Sequence, residues 1–164
     1  MMRMMVLVFI LCFLPSTASA QEFHNYDFPG AIHGFRFGST RSDVERACRH
    51  GSYDLDMYTC EDPIESLGFE GNIVVGFSAS GVVNSIWIQT NNIFNPNVQS
   101  TFEELGNQLM SDFGTPDERE TSREHESSVW FFNEPGLICW IEFSFQYSGS
   151  LLLTFNQIPS RNNN

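Results

Sequence analysis

Cys48 and His50 stand two residues apart, close enough in sequence to suggest a thiol nucleophile with an imidazole base. A second reading competes with it. Cys48 is tied into a disulfide, and His50 sits at the end of a helix, where a cation suits the negative pole. The rest of the chain favours the second reading. His24, His33, His50 and His125 form no HExxH pair, and no Gly-x-Ser-x-Gly elbow occurs. Asp54, Asp56, Glu61 and Asp62 gather carboxylates as a calcium loop would. They lack the glycine-centred twelve-residue frame with a closing glutamate. No CxxC or HxxxH spacing offers a zinc site. No cofactor, metal or catalytic residue is therefore assigned, and the chain is read as a non-enzyme.

The residues left with something to do are aromatic. Trp87, Trp130 and Trp140 each lie in a run that alternates in the strand period of two. In Leu137–Tyr147, Leu137, Cys139, Ile141, Phe143 and Phe145 share one face, and Ile138, Trp140 and Glu142 share the other. In Val82–Thr90, Val82, Ile86 and Ile88 oppose Val83, Ser85, Trp87 and Gln89. In Ser128–Phe132, Val129 and Phe131 oppose Trp130 and Phe132. All three indoles can thus occupy a mixed face turned away from the core. Aromatic residues dominate the energetics of protein interfaces. Trp87, Trp130 and Trp140 are the expected anchors, with Gln89 and Glu142 setting polar specificity. The acidic stretch Asp117–Glu126 is the second candidate, read chiefly as a solvated loop.

Two helices must back those strands. Residues 39–44 (Ser-Thr-Arg-Ser-Asp-Val) and 100–105 (Ser-Thr-Phe-Glu-Glu-Leu) share one pattern sixty-one residues apart. Each reads as a capping box, with Thr40 or Thr101 at the N-cap and Asp43 or Glu104 reaching back. The first helix is predicted over Arg41–His50 and the second over Phe102–Phe113. Strands follow at Asp56–Cys60, Ile73–Ser78, Val82–Thr90, Ser128–Phe132, Leu137–Tyr147 and Ser150–Gln157. The expected fold is α+β: two tandem helix–three-strand units, an internal repeat, with helices on one face of an antiparallel sheet.

Met1–Ala20 reads as a signal peptide: Arg3, a nine-residue apolar run Val6–Leu14, then Ala18-Ser19-Ala20 before the cut. That run is too short for a bilayer core of about 30 Å. No later stretch replaces it, so no stable membrane insertion is expected after cleavage. The mature chain would be periplasmic or secreted. It holds 7 Arg, no Lys and 20 Asp plus Glu, a charge of −13 that repels nucleic acid. Cys48, Cys60 and Cys139 remain. Cys48–Cys60 is the favoured pair, with Cys48–Cys139 as the rival and Cys139 otherwise a small buried hydrophobe.

The Gly-x-x-x-Gly-x-Thr-x-x-acid-Val pattern around Gly34–Val44 and the later Phe113-Gly114-Thr115-Pro116 carry a resemblance. They resemble the SmpA/OmlA type of outer-membrane assembly lipoprotein and the beta-lactamase-inhibitor-protein type. The match covers about 34–90 and 101–157. It implies a helix-plus-sheet unit that binds another protein. The expected organisation is then a leader (1–20), an extended segment (21–38), a first unit (39–91), a connector (92–99), a second unit (100–158) and a disordered tail (159–164). The expected function is non-catalytic protein binding, as an inhibitor, an immunity-type protein or an envelope assembly factor; the alternatives are a small extracytoplasmic enzyme such as a hydrolase, or a purely structural envelope component.

Overall fold

A computed structural model of the protein describes residues 27–66, 69–90, 98–146 and 149–159. The leader, most of the connector and the last five residues lie outside that set.

The chain first makes a small hairpin, β1 (Ala31–Ile32) and β2 (Phe35–Arg36). His33 and Gly34 turn it with φ of 49° and 87°. Two successive positive φ values are what a tight two-residue hairpin needs. Helix α1 (Arg41–Ala47) follows, then β3 (Gly51–Asp54), β4 (Met57–Ser66), β5 (Phe69–Phe77) and β6 (Val83–Gln89). Helix α2 (Val98–Phe113) precedes β7 (Glu118–Thr121), β8 (His125–Glu134), β9 (Leu137–Gln146) and β10 (Ser150–Pro159).

The expectation of two helix–three-strand units is overturned. The architecture is mostly β, with one continuous eight-stranded antiparallel sheet in the order β3-β4-β5-β6-β10-β9-β8-β7. β6 and β10 join its halves, from Gln89 opposite Leu152 to Ser85 opposite Asn156. The two unforeseen edge strands, β3 and β7, are short and polar. Nothing in their own sequence alternates, so they exist only by pairing with β4 and β8.

Both helices and the hairpin pack on one face. Val44, Leu105, Leu109, Phe28 and Phe35 join Ile73, Val75, Ile86, Ile88, Phe132, Ile141, Phe143 and Leu153 in a single core. Phe102 stacks on Phe143 with centroids 4.8 Å apart, and Phe28 meets Phe132 edge-on at 5.5 Å. A bulge where Phe77 pairs with Val83 turns Val83 inward, against its expected place beside Trp87.

The two helix starts differ. At α1 the Asp43 carboxylate accepts hydrogen bonds from the Thr40 backbone N–H (3.0 Å) and the Thr40 hydroxyl (2.7 Å). Those bonds hold the Asp43 carboxyl below its usual pKa. A lowered carboxyl pKa stabilises above the ordinary value and is lost as pH falls through the lowered one. At α2 the helix begins at Val98, so Thr101 lies inside it and is no cap. Helix α1 stops at Ala47 rather than His50, because Cys48 turns to extended geometry (φ −130°, ψ 114°) and bonds to Cys60.

Candidate functional site

The disulfide joins Cys48 to Cys60, twelve positions apart in sequence, with Cα atoms 5.9 Å apart. Both sulfurs are buried. The pairing puts the chain in an oxidising, extracytoplasmic compartment and removes Cys48 as a nucleophile. His50 Nδ1 lies 3.0 Å from Asp62 Oδ1, not on a helix end. The Tyr58 hydroxyl donates to the Cys48 carbonyl at 2.9 Å. It can approach because Gly51 has no side chain: a Cβ there would lie 2.5 Å from that hydroxyl. Asp56 pairs with Arg41 at 2.9 Å. Among the described residues one cluster gathers metal-binding groups, Cys48, Cys60 and Asp62, and its sulfurs are spent on each other. Cys139 is free and wholly buried, and desolvation pushes its thiol up to about 11. None of this assembles chemistry. No described helix is long and apolar enough to cross a membrane.

The second sheet face is different. Among the described residues no helix or hairpin covers it, since all of those join the core on the other side. Strand register sets out its rows. One row runs Ser52, Thr59, Val74, Trp87, Thr154, Glu142, Val129, Glu118. The next runs Asp54, Met57, Gly76, Ser85, Asn156, Trp140, Phe131. Gln89 lies in a third, between Asn72 and Leu152. Trp87, Trp140, Phe131 and Leu152 are each half-buried. Strand spacing puts Trp87 and Glu142 about 10 Å apart across Thr154.

Four of the five predicted site residues therefore share this face: Trp87, Gln89, Trp140 and Glu142. Trp130 does not. It faces the helices, is 1 % exposed, and its indole N–H donates to the Gly114 carbonyl at 2.9 Å. Its strand is apolar on both faces, so alternation alone could not choose a side. The end of α2 chooses, by offering Trp130 an acceptor. The same inversion brings Phe131 to the open face, a residue that strand spacing had paired only with Val129.

The face is acidic as well as aromatic. Glu118, Glu120, Glu142 and Asp54 occupy open-face positions. The one arginine in the described strands of this sheet, Arg119, has the opposite parity. Beyond the row of Trp140, the β3–β4 turn carries Leu55, which is 86 % exposed at a φ of 53°. A leucine in left-handed geometry is strained, and nothing buries it in return. The sequence signal for Leu55 was absent, because an isolated surface leucine is ordinary.

The fold and this face define a class: an extracytoplasmic sheet protein, covered on one side and aromatic on the other. No family model and no curated protein matches the chain. Among solved structures it is similar to a DUF4309 family protein, YjgB, from Bacillus subtilis. The identity is 12 %, the match covers 79 % of this chain and 86 % of that one, and the TM-score is 0.46. The description of that protein names no activity.

Proposed function

We propose that the protein is an exported, non-catalytic binding module whose open sheet face takes the basic surface of another protein. One observation carries the reading: Trp87 and Trp140 lie about 12 Å apart on a sheet face that no described element covers. Half-buried indoles in a polar field of Gln89, Ser85, Asn156 and Glu142 have the composition of an interface centre with its rim. The carboxylates on that face, with no arginine at the open-face positions of the described strands, select a cationic partner. The leader at Met1–Ala20 supplies export to the periplasm or the medium.

Capture from the extracytoplasmic fraction of the source, with the full secreted chain as bait, tests this. A partner with a basic contact surface is expected to lose about 2 kcal/mol or more for each of Trp87→Ala and Trp140→Ala, the range of an interface hot spot. Binding should also weaken as salt rises. The same variants should unfold near the wild-type temperature, since neither indole is fully buried. Capture unchanged by the double variant, or no captured protein at all, overturns the reading.

Leu55 separates stability from binding. Leu55→Asn is expected to raise stability by about 1 kcal/mol, because asparagine tolerates positive φ. If the turn tip touches the partner, the same variant binds more weakly. A thermal melt and a binding titration on one preparation read both effects. A lower melting temperature would refute the strain.

A further inference from the structure

We propose that the cleft between α2 and the β7–β8 edge binds a small zwitterion with an apolar body, a free amino acid or a short peptide. The cleft lies on the helix side of the sheet, so this proposal is independent of the open-face reading. Its volume is about 310 Å³, the lower end of the range for ligand pockets.

Three observations point to a built site. The first is Gly106, which lines the cleft from the middle of α2. Glycine weakens a helix interior relative to alanine. No crowding demands it here. A Cβ at Gly106 would meet Phe143 Cε1 at 3.8 Å, an ordinary contact. The glycine keeps open a space that a larger residue would fill.

The second is the polarity of the sheet positions beneath. Trp130 and Phe132 on β8 are buried and apolar. Two steps toward the start of the same strand, on the same face, the residues become Ser128 and Glu126. Their partners on β7 are Arg119 and Thr121. A face that packs against a helix elsewhere turns polar where the cleft lies.

The third is the charge arrangement. Arg119 Nη2 reaches Met110 Sδ at 2.9 Å, and among the described residues its guanidinium pairs with no carboxylate. Glu103 lines the same cleft from α2, and Glu120 and Glu126 line it from β7 and β8. A simple anion would meet these three carboxylates, and a simple cation would meet Arg119. A molecule carrying both a carboxylate and an ammonium satisfies the two together. Phe102 and Phe143, stacked at 4.8 Å, with Met110, supply the apolar floor for its side chain.

Calorimetric titration of the full secreted chain with L-leucine and with L-phenylalanine tests the site. Saturable binding of at least one is expected. N-acetyl-leucine and leucinamide each lack one charge and should bind at least about tenfold more weakly, as the loss of a charge-assisted hydrogen bond implies. Gly106→Leu fills the cleft and should abolish binding without lowering the melting temperature. Arg119→Met, at an exposed edge position, serves if that variant does not fold. It should weaken binding of the free amino acid and leave the weak binding of leucinamide unchanged. Trp87→Ala and Trp140→Ala should leave all of this binding intact. No saturable binding by the wild type, or equal binding by the cleft variants, overturns the proposal.

Discussion

Trp130→Ala is expected to cost about 4 kcal/mol, the range for deleting a large aromatic side chain from a packed core. The ring is 1 % exposed and sits with Phe132, Ile141 and Leu109 in the core. Removing it opens a void beneath the C-terminal end of α2. It also strips the Gly114 carbonyl of the indole N–H that caps that end at 2.9 Å. Helices need partners for their last carbonyls, so the two losses fall on one place. For a chain of this length the melting temperature should fall by roughly 10–15 °C. Trp130→Phe separates the terms. It keeps most of the buried area and loses the hydrogen bond, and should cost about 1–2 kcal/mol. Thermal melts of the two variants beside Trp87→Ala make the check. If Trp130→Ala melts no lower than Trp87→Ala, the ring does not hold the core.

Loss of the Cys48–Cys60 disulfide is expected to cost about 3 kcal/mol. The bond closes a loop of about a dozen residues, and the chain-entropy account of so short a loop gives that magnitude. The bond joins the end of α1 to β4. Between the two cysteines lie β3 and its turn, an edge strand with no apolar stripe. Without the cross-link, this mostly exposed strand has little beyond its pairing with β4 and the Tyr58 hydroxyl on Cys48 to hold it. Hydrogen exchange should therefore show protection lost first at Gly51–Asp54, while β8–β10 hold. Cys48→Ser with Cys60→Ser, melted beside the wild type, measures the cost. Cys139 adds no label to the native protein, since its thiol is buried and raised to about 11. An unchanged melting temperature in the double variant would show that the bond constrains nothing.

Much of this molecule was legible residue by residue. Period-two alternation in Leu137–Tyr147 put Cys139, Ile141, Phe143 and Phe145 inward and Trp140 and Glu142 outward, and the structure has them so. Alternation works there because each face is uniform. It failed in β8, where Trp130, Phe131 and Phe132 are all large and apolar. It failed at Val83, because a bulge shifts parity by one and leaves no mark in composition. The cap at Thr40 could be read because its partner Asp43 is local. Its apparent counterpart at Thr101 carried the same letters inside a helix that begins at Val98.

Sequence alone therefore determined what depends on near neighbours: the first helix start, the Cys48–Cys60 pairing as favoured, and the inward face of β9. Those follow from backbone geometry and from residues within a turn or a strand of one another. Only the tertiary structure decided what depends on distant partners. The joining of β6 to β10 makes one sheet, the pairing of β3 and β7 makes its edges, and the Gly114 carbonyl decides which way Trp130 turns. Strand pairing and indole burial are settled by groups far apart in the chain, and local periodicity carries no information about which of them will meet.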